Sequence, residues 1–152
     1  DGSYSVITGG GGFISTDGSI GEKEEYNNKI HGCDTSTISG GTQNRIQGLG
    51  DGSGHTISGG IENTIENSET QQYHTITGGY DNSADGQQGQ GAMVSGGALN
   101  RASGTNSLAF GQNAVILFQH SMVVNLMGGE DKDAVLTGTE DGEFVSLPDW
   151  EW

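Results

Sequence analysis

A cassette of two glycines, two variable residues and an asparagine recurs along the chain, and it constrains the fold more than any other feature. Each cassette follows a β-branched triplet such as Thr37-Ile38-Ser39 and precedes a second short apolar segment. The central apolar residues of successive triplets lie 19, 19 and 18 positions apart. A fixed period of this length predicts stacked structural units. The four clear copies span residues 37–46, 56–65, 75–84 and 93–102.

Each copy contains the parts of two short strands and two corners. A β-branched triplet favours a strand of about three residues. The glycine pair permits a tight corner with positive φ, and the asparagine favours a second turn. We therefore predict an all-β fold, a β-solenoid of the β-roll or β-helix type with about 18–19 residues per coil. Stacking at about 4.8 Å would align the asparagines in an amide ladder and the isoleucines in an apolar one. The isoleucines predicted to lie inside are Ile38, Ile46, Ile57, Ile65 and Ile76.

The direction of the side chains in each triplet is left open by the pattern. If Ile38 points into the coil, Thr37 and Ser39 point outward. If the sheet is instead buried on both faces, the isoleucine contacts a neighbouring chain and the small hydroxyl residues fill the coil.

Two segments are predicted along the chain. Residues 1–114 form the glycine- and asparagine-rich solenoid, and its first coil is split by a loop insertion at about 11–26. Residues 115–152 form a C-terminal β segment with an acidic tail, which caps the solenoid and joins chains. Hydrophobic residues make up only 30% of the chain. One bulky apolar residue per strand is little for a monomer, so we expect an intertwined homotrimer.

The charge of the chain excludes two classes of partner. Five Lys and Arg residues stand against 20 Asp and Glu, which gives a net charge of -15. Phosphate recognition requires cationic side chains, so nucleic acid is not an expected partner. Anionic membrane surfaces are disfavoured for the same reason. No apolar run approaches the roughly 20 residues of a membrane span, so membrane insertion is not expected.

The short unit at residues 107–114, Ser-Leu-Ala-Phe-Gly-Gln-Asn-Ala, resembles the head repeats of trimeric autotransporter adhesins. The longer Gly-Gly-x-x-Asn units resemble repeats of viral, phage-type tail-fibre and host-attachment proteins. This resemblance implies a trimeric β-roll or β-helix at a virion surface or an extracellular cell surface. It also implies recognition of host-surface or cell-wall polysaccharide, with two identical chains as partners.

Four residues are candidates for contact with a glycan. His55 and His74 occupy equivalent repeat positions 19 residues apart, and Tyr73 and Tyr80 flank the second histidine. Aromatic and neutral polar side chains suit sugar hydroxyls. The alternative is a polysaccharide-degrading enzyme acting on the cell wall. In a lyase, Tyr73 and His74 would supply general acid–base catalysis. Paired carboxylates in a glycoside hydrolase are a less specific possibility.

Two minor hypotheses complete the sequence analysis. Residues 128–136 partly match a calcium-binding nonapeptide, which makes Asp131 and Asp133 weak Ca²⁺ candidates. Apart from this, no cofactor is predicted. Regular rows of Thr and Ser on a flat solenoid face would resemble an ice-binding surface.

Overall fold

The chain forms a parallel β-solenoid. The computed structural model describes residues 4–9, 12–15, 27–48, 54–67, 73–85, 90–126, 136–137 and 140–147. The described residues are all-β, and they include no helix long and apolar enough to cross a membrane. Their sixteen strands form two eight-stranded sheets. Sheet A contains, in spatial order, β1 (Val6–Ile7), β4 (Thr37–Ile38), β6 (Thr56–Ile57), β8 (Thr75–Ile76), β10 (Met93–Ala98), β12 (Leu108–Gln112), β14 (Met122–Asn125) and β16 (Phe144–Leu147). Sheet B contains β15 (Leu136–Thr137), β13 (Ala114–Ile116), β11 (Arg101–Ala102), β9 (Ser83–Ala84), β7 (Thr64–Asn67), β5 (Arg45–Gly48), β3 (Asn28–His31) and β2 (Gly12–Ser15).

The predicted period is confirmed by the register of both sheets. Thr37 pairs with Thr56, which pairs with Thr75, and every neighbouring strand pair is parallel. Equivalent cassette positions therefore lie directly above one another. Each side chain type forms a row along the solenoid axis, and the content of each row determines what that face presents.

The isoleucines of the cassettes point into the coil. The prediction that they lie inside is confirmed, since all five predicted isoleucines have no accessible surface. Thr37 is half-buried and Ser39 is exposed on the outer face of sheet A. This resolves the open choice of side-chain direction. Burial of each isoleucine contributes about 1.5–3 kcal/mol to folding.

The asparagines form the predicted amide ladder along the corner that leads into sheet B. Asn63 donates its backbone N–H and its Nδ2–H to Oδ1 of Asn44, at 3.1 and 3.0 Å. Asn82 donates in the same way to Asn63. Both asparagines are buried, and the second Nδ2 hydrogen satisfies carbonyls of the glycine corner. Fully satisfied buried amides fix the register of neighbouring coils.

The second glycine of each cassette is required by close backbone approach. Gly60 has a φ of 88°, and a Cβ on it would overlap the carbonyl oxygen of Gly79 in the next coil. Only glycine allows adjacent coils to approach this closely while keeping the corner.

The first coil is assembled from two separate stretches of sequence. Asn28 Nδ2 donates to the carbonyl of Gly9 at 3.1 Å, as Asn44 does to Gly40 at 3.0 Å. β1 and β3 therefore belong to one coil. Within the insertion, β2 forms a further strand that pairs with β3 at the end of sheet B. The insertion predicted as a loop thus contains at least this strand.

The coils shorten toward the C-terminus. Met93 pairs with Leu108 and Leu108 with Met122, which are steps of 15 and 14 residues. A shorter coil encloses less space between the sheets. Its interior is correspondingly filled by smaller residues such as Ala102 and Ala109, both without accessible surface. β13, β14 and β16 continue the two sheets beyond residue 114.

Candidate functional site

The two predicted histidines are interior residues. His55 and His74 have no accessible surface, and their rings stack at a centroid distance of 5.1 Å and an interplanar angle of 6°. His74 donates its backbone N–H to Nδ1 of His55 at 3.3 Å. Ala92 donates its backbone N–H to Nδ1 of His74 at 3.2 Å. The imidazoles therefore link three successive coils, and they lie out of reach of a glycan on the surface.

The hydrogen bonds require both imidazoles to be neutral at Nδ1. Burial lowers the pKa of His55 to about 4, and the neighbouring His74 lowers it further in the same direction. Burial also lowers the pKa of His74, against the opposing effect of the Asp85 carboxylate. Nε2 of His74 has no hydrogen-bond partner among the described residues. The pair is thus a structural element that resists protonation.

Tyr73 and Tyr80 are exposed, but they lie at opposite ends of β8. Tyr73 precedes the strand, has a φ of 65°, and packs its ring over Gly54 of the preceding coil. Tyr80 follows the glycine corner and pairs with Ile61 and Ala98 of the adjacent coils. Of the four glycan candidates, the structure therefore offers two separated aromatic rings to solvent. A glycan-binding role for either ring stays a prediction.

The geometry gives the lyase alternative no support. Tyr73 is 61% exposed, whereas the neighbouring His74 uses Nδ1 to hold the next coil. General acid–base catalysis requires a side chain that reaches the proton it transfers. A saccharide resting on Tyr73 would meet the backbone above the imidazole rather than the imidazole itself.

Tyr80 lies beside a groove on the opposite edge. Its hydroxyl donates to the carboxylate of Glu62, and the charge of that carboxylate raises the pKa of Tyr80. Glu62 in turn lines a groove of about 300 Å³ that extends onto the outer face of sheet B. The other residues that line the groove are Asn27, Lys29, Gln43, Asn44, Arg45 and Thr64.

Sequence reasoning missed this groove, although it contained a signal. The chain has only five Lys and Arg residues, and three of them occupy the same cassette position, directly after the asparagine. These three are Lys29, Arg45 and Arg101. The structure places Lys29 and Arg45 side by side in neighbouring strands. The split first coil hid the equivalence, because the two residues are not separated by the regular period.

The outer face of sheet A carries the predicted hydroxyl rows. Thr37, Thr56 and Thr75 align in one row, and the residues two positions further on align in a second. The second row is the more exposed of the two, and it contains Thr8, Ser39, Ser58 and Thr77.

The structure describes only part of the predicted metal site. Asp131 and Asp133, the weak Ca²⁺ candidates, lie outside the described residues. Within the described ranges, no three His, Cys, Asp or Glu side chains converge as metal ligands would.

The fold and these surfaces stand without an identifiable relative. Comparison with protein-family models, with curated proteins and with solved structures gives no match.

Proposed function

We propose that the chain is a structural and recognition segment of a virion attachment fibre or surface adhesin, which presents a glycan-binding surface on a rigid solenoid. The observation that carries the proposal is the uninterrupted parallel register of both sheets. Such a ladder holds surface residues in fixed rows, which favours recognition by a preorganised surface. The exposed ring of Tyr80 beside a polar groove is the best candidate for sugar contact.

The test is a glycan array probed with the purified chain, followed by incubation with the bound saccharides. We expect binding without cleavage, and weaker binding by Tyr80→Ala than by Tyr73→Ala. Unsaturated or shortened products would contradict the proposal and favour the polysaccharide-degrading alternative. Absence of binding to every saccharide would contradict glycan recognition.

The proposal includes association of three chains. From Met93 onward, the outer row of sheet A changes from hydroxyl to apolar side chains, and Leu108, Met122 and Phe144 follow in register. Exposed apolar rows of this kind mark protein–protein contact surfaces. We expect light scattering to give a mass near three times the 15.7 kDa chain. A mass equal to one chain at all concentrations would contradict the trimer.

A second candidate function is ice binding, which is favoured by the outward direction of the hydroxyl rows. Thr37, Thr56 and Thr75 lie one strand apart, about 4.8 Å, on a flat parallel face. The test is thermal hysteresis of the purified chain, with Thr56→Tyr placing a bulky ring at the centre of the array. Activity lost in this variant would support ice binding. Absence of hysteresis in the parent chain would exclude it.

A further inference from the structure

The groove beside Tyr80 contains an unusual pair of cations. Lys29 and Arg45 are direct neighbours across the parallel strands β3 and β5, and both point to the outer face of sheet B. Neighbouring strands lie about 4.8 Å apart. Like charges placed directly opposite each other destabilise a sheet. In a chain of net charge -15, this local concentration of positive charge stands out.

A third cation in the same row provides an internal comparison. Arg101 forms an ion pair with Asp85, which also accepts a hydrogen bond from Ser103. Arg45 forms no ion pair within the described ranges, and its side chain is exposed. The guanidinium of Arg101 is therefore neutralised by the protein, whereas that of Arg45 is available to an external anion.

The floor of the groove is rigid. Asn44 uses its amide to donate to the carbonyls of Gly40 and Gly60 and to Oδ1 of Asn28. Its backbone N–H also donates to Oδ1 of Asn28. Arg45 follows directly, so the base of its side chain is held by the amide ladder. A site on such a rigid element loses little entropy when it binds a ligand.

The rim of the groove offers neutral and acidic hydrogen-bonding groups. Gln43 and Glu62 both have a φ of 59°, so they occupy equivalent corner positions in successive coils. Thr64 extends the groove along sheet B. Amide, carboxylate and hydroxyl groups of this kind suit the hydroxyls of a sugar. Tyr80, through its hydrogen bond to Glu62, adds an aromatic face at the same end.

We infer that this groove binds the carboxylate of an acidic saccharide. The guanidinium of Arg45 takes the carboxylate as a bidentate partner, and the ammonium of Lys29 adds a second positive charge. Glu62, Gln43 and Thr64 bind sugar hydroxyls, and Tyr80 contacts the apolar face of a sugar ring. The volume of about 300 Å³ is at the lower end of ligand sites and matches one sugar residue. This inference rests on the proposed glycan recognition and narrows it to a carboxylated ligand.

The experiment compares carboxylated saccharides with their methyl esters, which keep the sugar and remove the charge. The intact chain is titrated with oligogalacturonate, with sialyllactose, and with the methyl ester of each. We expect at least one acid to bind and its ester to bind at least about 10-fold more weakly, since hydrogen bonds to charged groups contribute about 1.5–3 kcal/mol. The two acids distinguish a hexuronate from a sialic acid as the source of the carboxylate.

The matched variants are Arg45→Ala and Arg101→Ala, which remove the same side chain from the same row. Arg45→Ala is expected to weaken binding of the acid about 10- to 100-fold, and Arg45→Lys less. Arg101→Ala is expected to leave the affinity within about twofold. Circular dichroism confirms that both exposed-residue variants fold.

The outcomes separate this inference from the function on which it rests. Equal binding of acid and ester, binding of neutral saccharides alone, or an unchanged affinity of Arg45→Ala would overturn the acidic-saccharide site while leaving glycan recognition in place. Failure of both acids to bind would overturn the inference as well. Failure of every saccharide on the array would overturn the proposed function too.

Discussion

The two halves of the solenoid share one backbone and distribute their side chains in opposite ways. In the longer coils up to about residue 85, isoleucine fills the interior and Thr or Ser covers sheet A. In the shorter coils that follow, alanine fills much of the interior and the larger apolar residues lie on the outer face. The inward residues of the second half include Ala92, Ala102, Ala109 and Ala114, and the outward ones include Leu108, Phe110, Met122 and Phe144.

Coil length explains the difference. The strand spacing along the axis is fixed by hydrogen bonding, so a coil of 14 or 15 residues can only become narrower than one of 19. A narrow interior has no room for isoleucine on both sheets. The lesson is that the backbone ladder sets the fold, while coil length decides on which side of the sheet bulky residues lie.

The largest expected effect tests whether the backbone is equally constrained in both halves. Gly60→Ala and Gly111→Ala should each lower the free energy of unfolding by more than about 4 kcal/mol, because the new Cβ overlaps a carbonyl of the next coil. Urea denaturation measures the loss. Gly59→Ala is the control, since it also sits at positive φ but its Cβ would lie 4.0 Å from its nearest neighbour. If Gly111→Ala were tolerated, the two halves would differ in backbone as well.

The next effect concerns the wide interior. Ile57→Ala removes a side chain with no accessible surface and should lower the free energy of unfolding by about 2–5 kcal/mol. Thr56→Ala, on the outer face of the same strand, should change it by about 0.5 kcal/mol or less. Both values come from urea denaturation. Similar losses in the two variants would contradict the assignment of inner and outer faces.

Acid should affect the first half before the second. The pKa of His55 is about 4 in the folded chain against 6.5 when exposed, so the unfolded state binds protons that the folded state does not. The full stability is present above pH 6.5 and is lost as the pH falls toward 4, by up to about 3 kcal/mol for His55. Hydrogen exchange at pH 7 and pH 4.5 measures this in each half.

A matched control exists for the acid effect. Ser36, Ser107 and Ser121 occupy the same row as the histidines and are buried. The double variant His55→Ser, His74→Ser should therefore fold and lose most of the acid sensitivity in its half. Equal acid sensitivity of the variant and the parent chain would show that other groups are responsible.

The narrow interior should reject a residue that the wide one requires. Ala109→Ile adds three carbon atoms between sheets that are closer together and should lower the free energy of unfolding by about 1–3 kcal/mol. Ala109→Gly should lower it by about 1 kcal/mol or less. Urea denaturation compares the two. A stabilising effect of isoleucine at this position would refute the link between coil length and core volume.

The smallest effect on stability concerns the outer apolar face. Phe110 is 39% exposed, so Phe110→Ser should change the free energy of unfolding of a single chain by about 1 kcal/mol or less. The same variant should lower the mass measured by light scattering from that of three chains to that of one. Ser58→Ala, in the hydroxyl half of the same row, should leave the mass unchanged.

Much of the fold was predictable because the cassettes repeat. The two strands per coil, the amide ladder and the interior isoleucines follow from residues such as Ile57 and Asn63, whose positions carry the period. The direction of the triplets was not predictable, because a strand of three residues fits either face of a sheet. It is decided by the opposite sheet, where Ile65 lies within the same coil.

The site was less predictable than the fold. His55 and His74 looked like surface residues, since polar side chains at a corner usually are. They are buried because Nδ1 of each can accept a backbone N–H from the next coil, as a serine oxygen does in the same row. Lys29 and Arg45 required knowledge of the strand register across the split first coil. That register is a tertiary property that spacing alone did not reveal.

The amide ladder has a consequence for how proteins of this kind can change in length. The Nδ2-to-Oδ1 distance is 3.0 Å from Asn63 to Asn44, from Asn82 to Asn63 and from Asn100 to Asn82. Because each junction is interchangeable with the next, a gene could gain or lose one complete rung by unequal recombination without a mismatched seam. Each such event would lengthen or shorten the reach of the rod by about 4.8 Å and leave every remaining contact as it was.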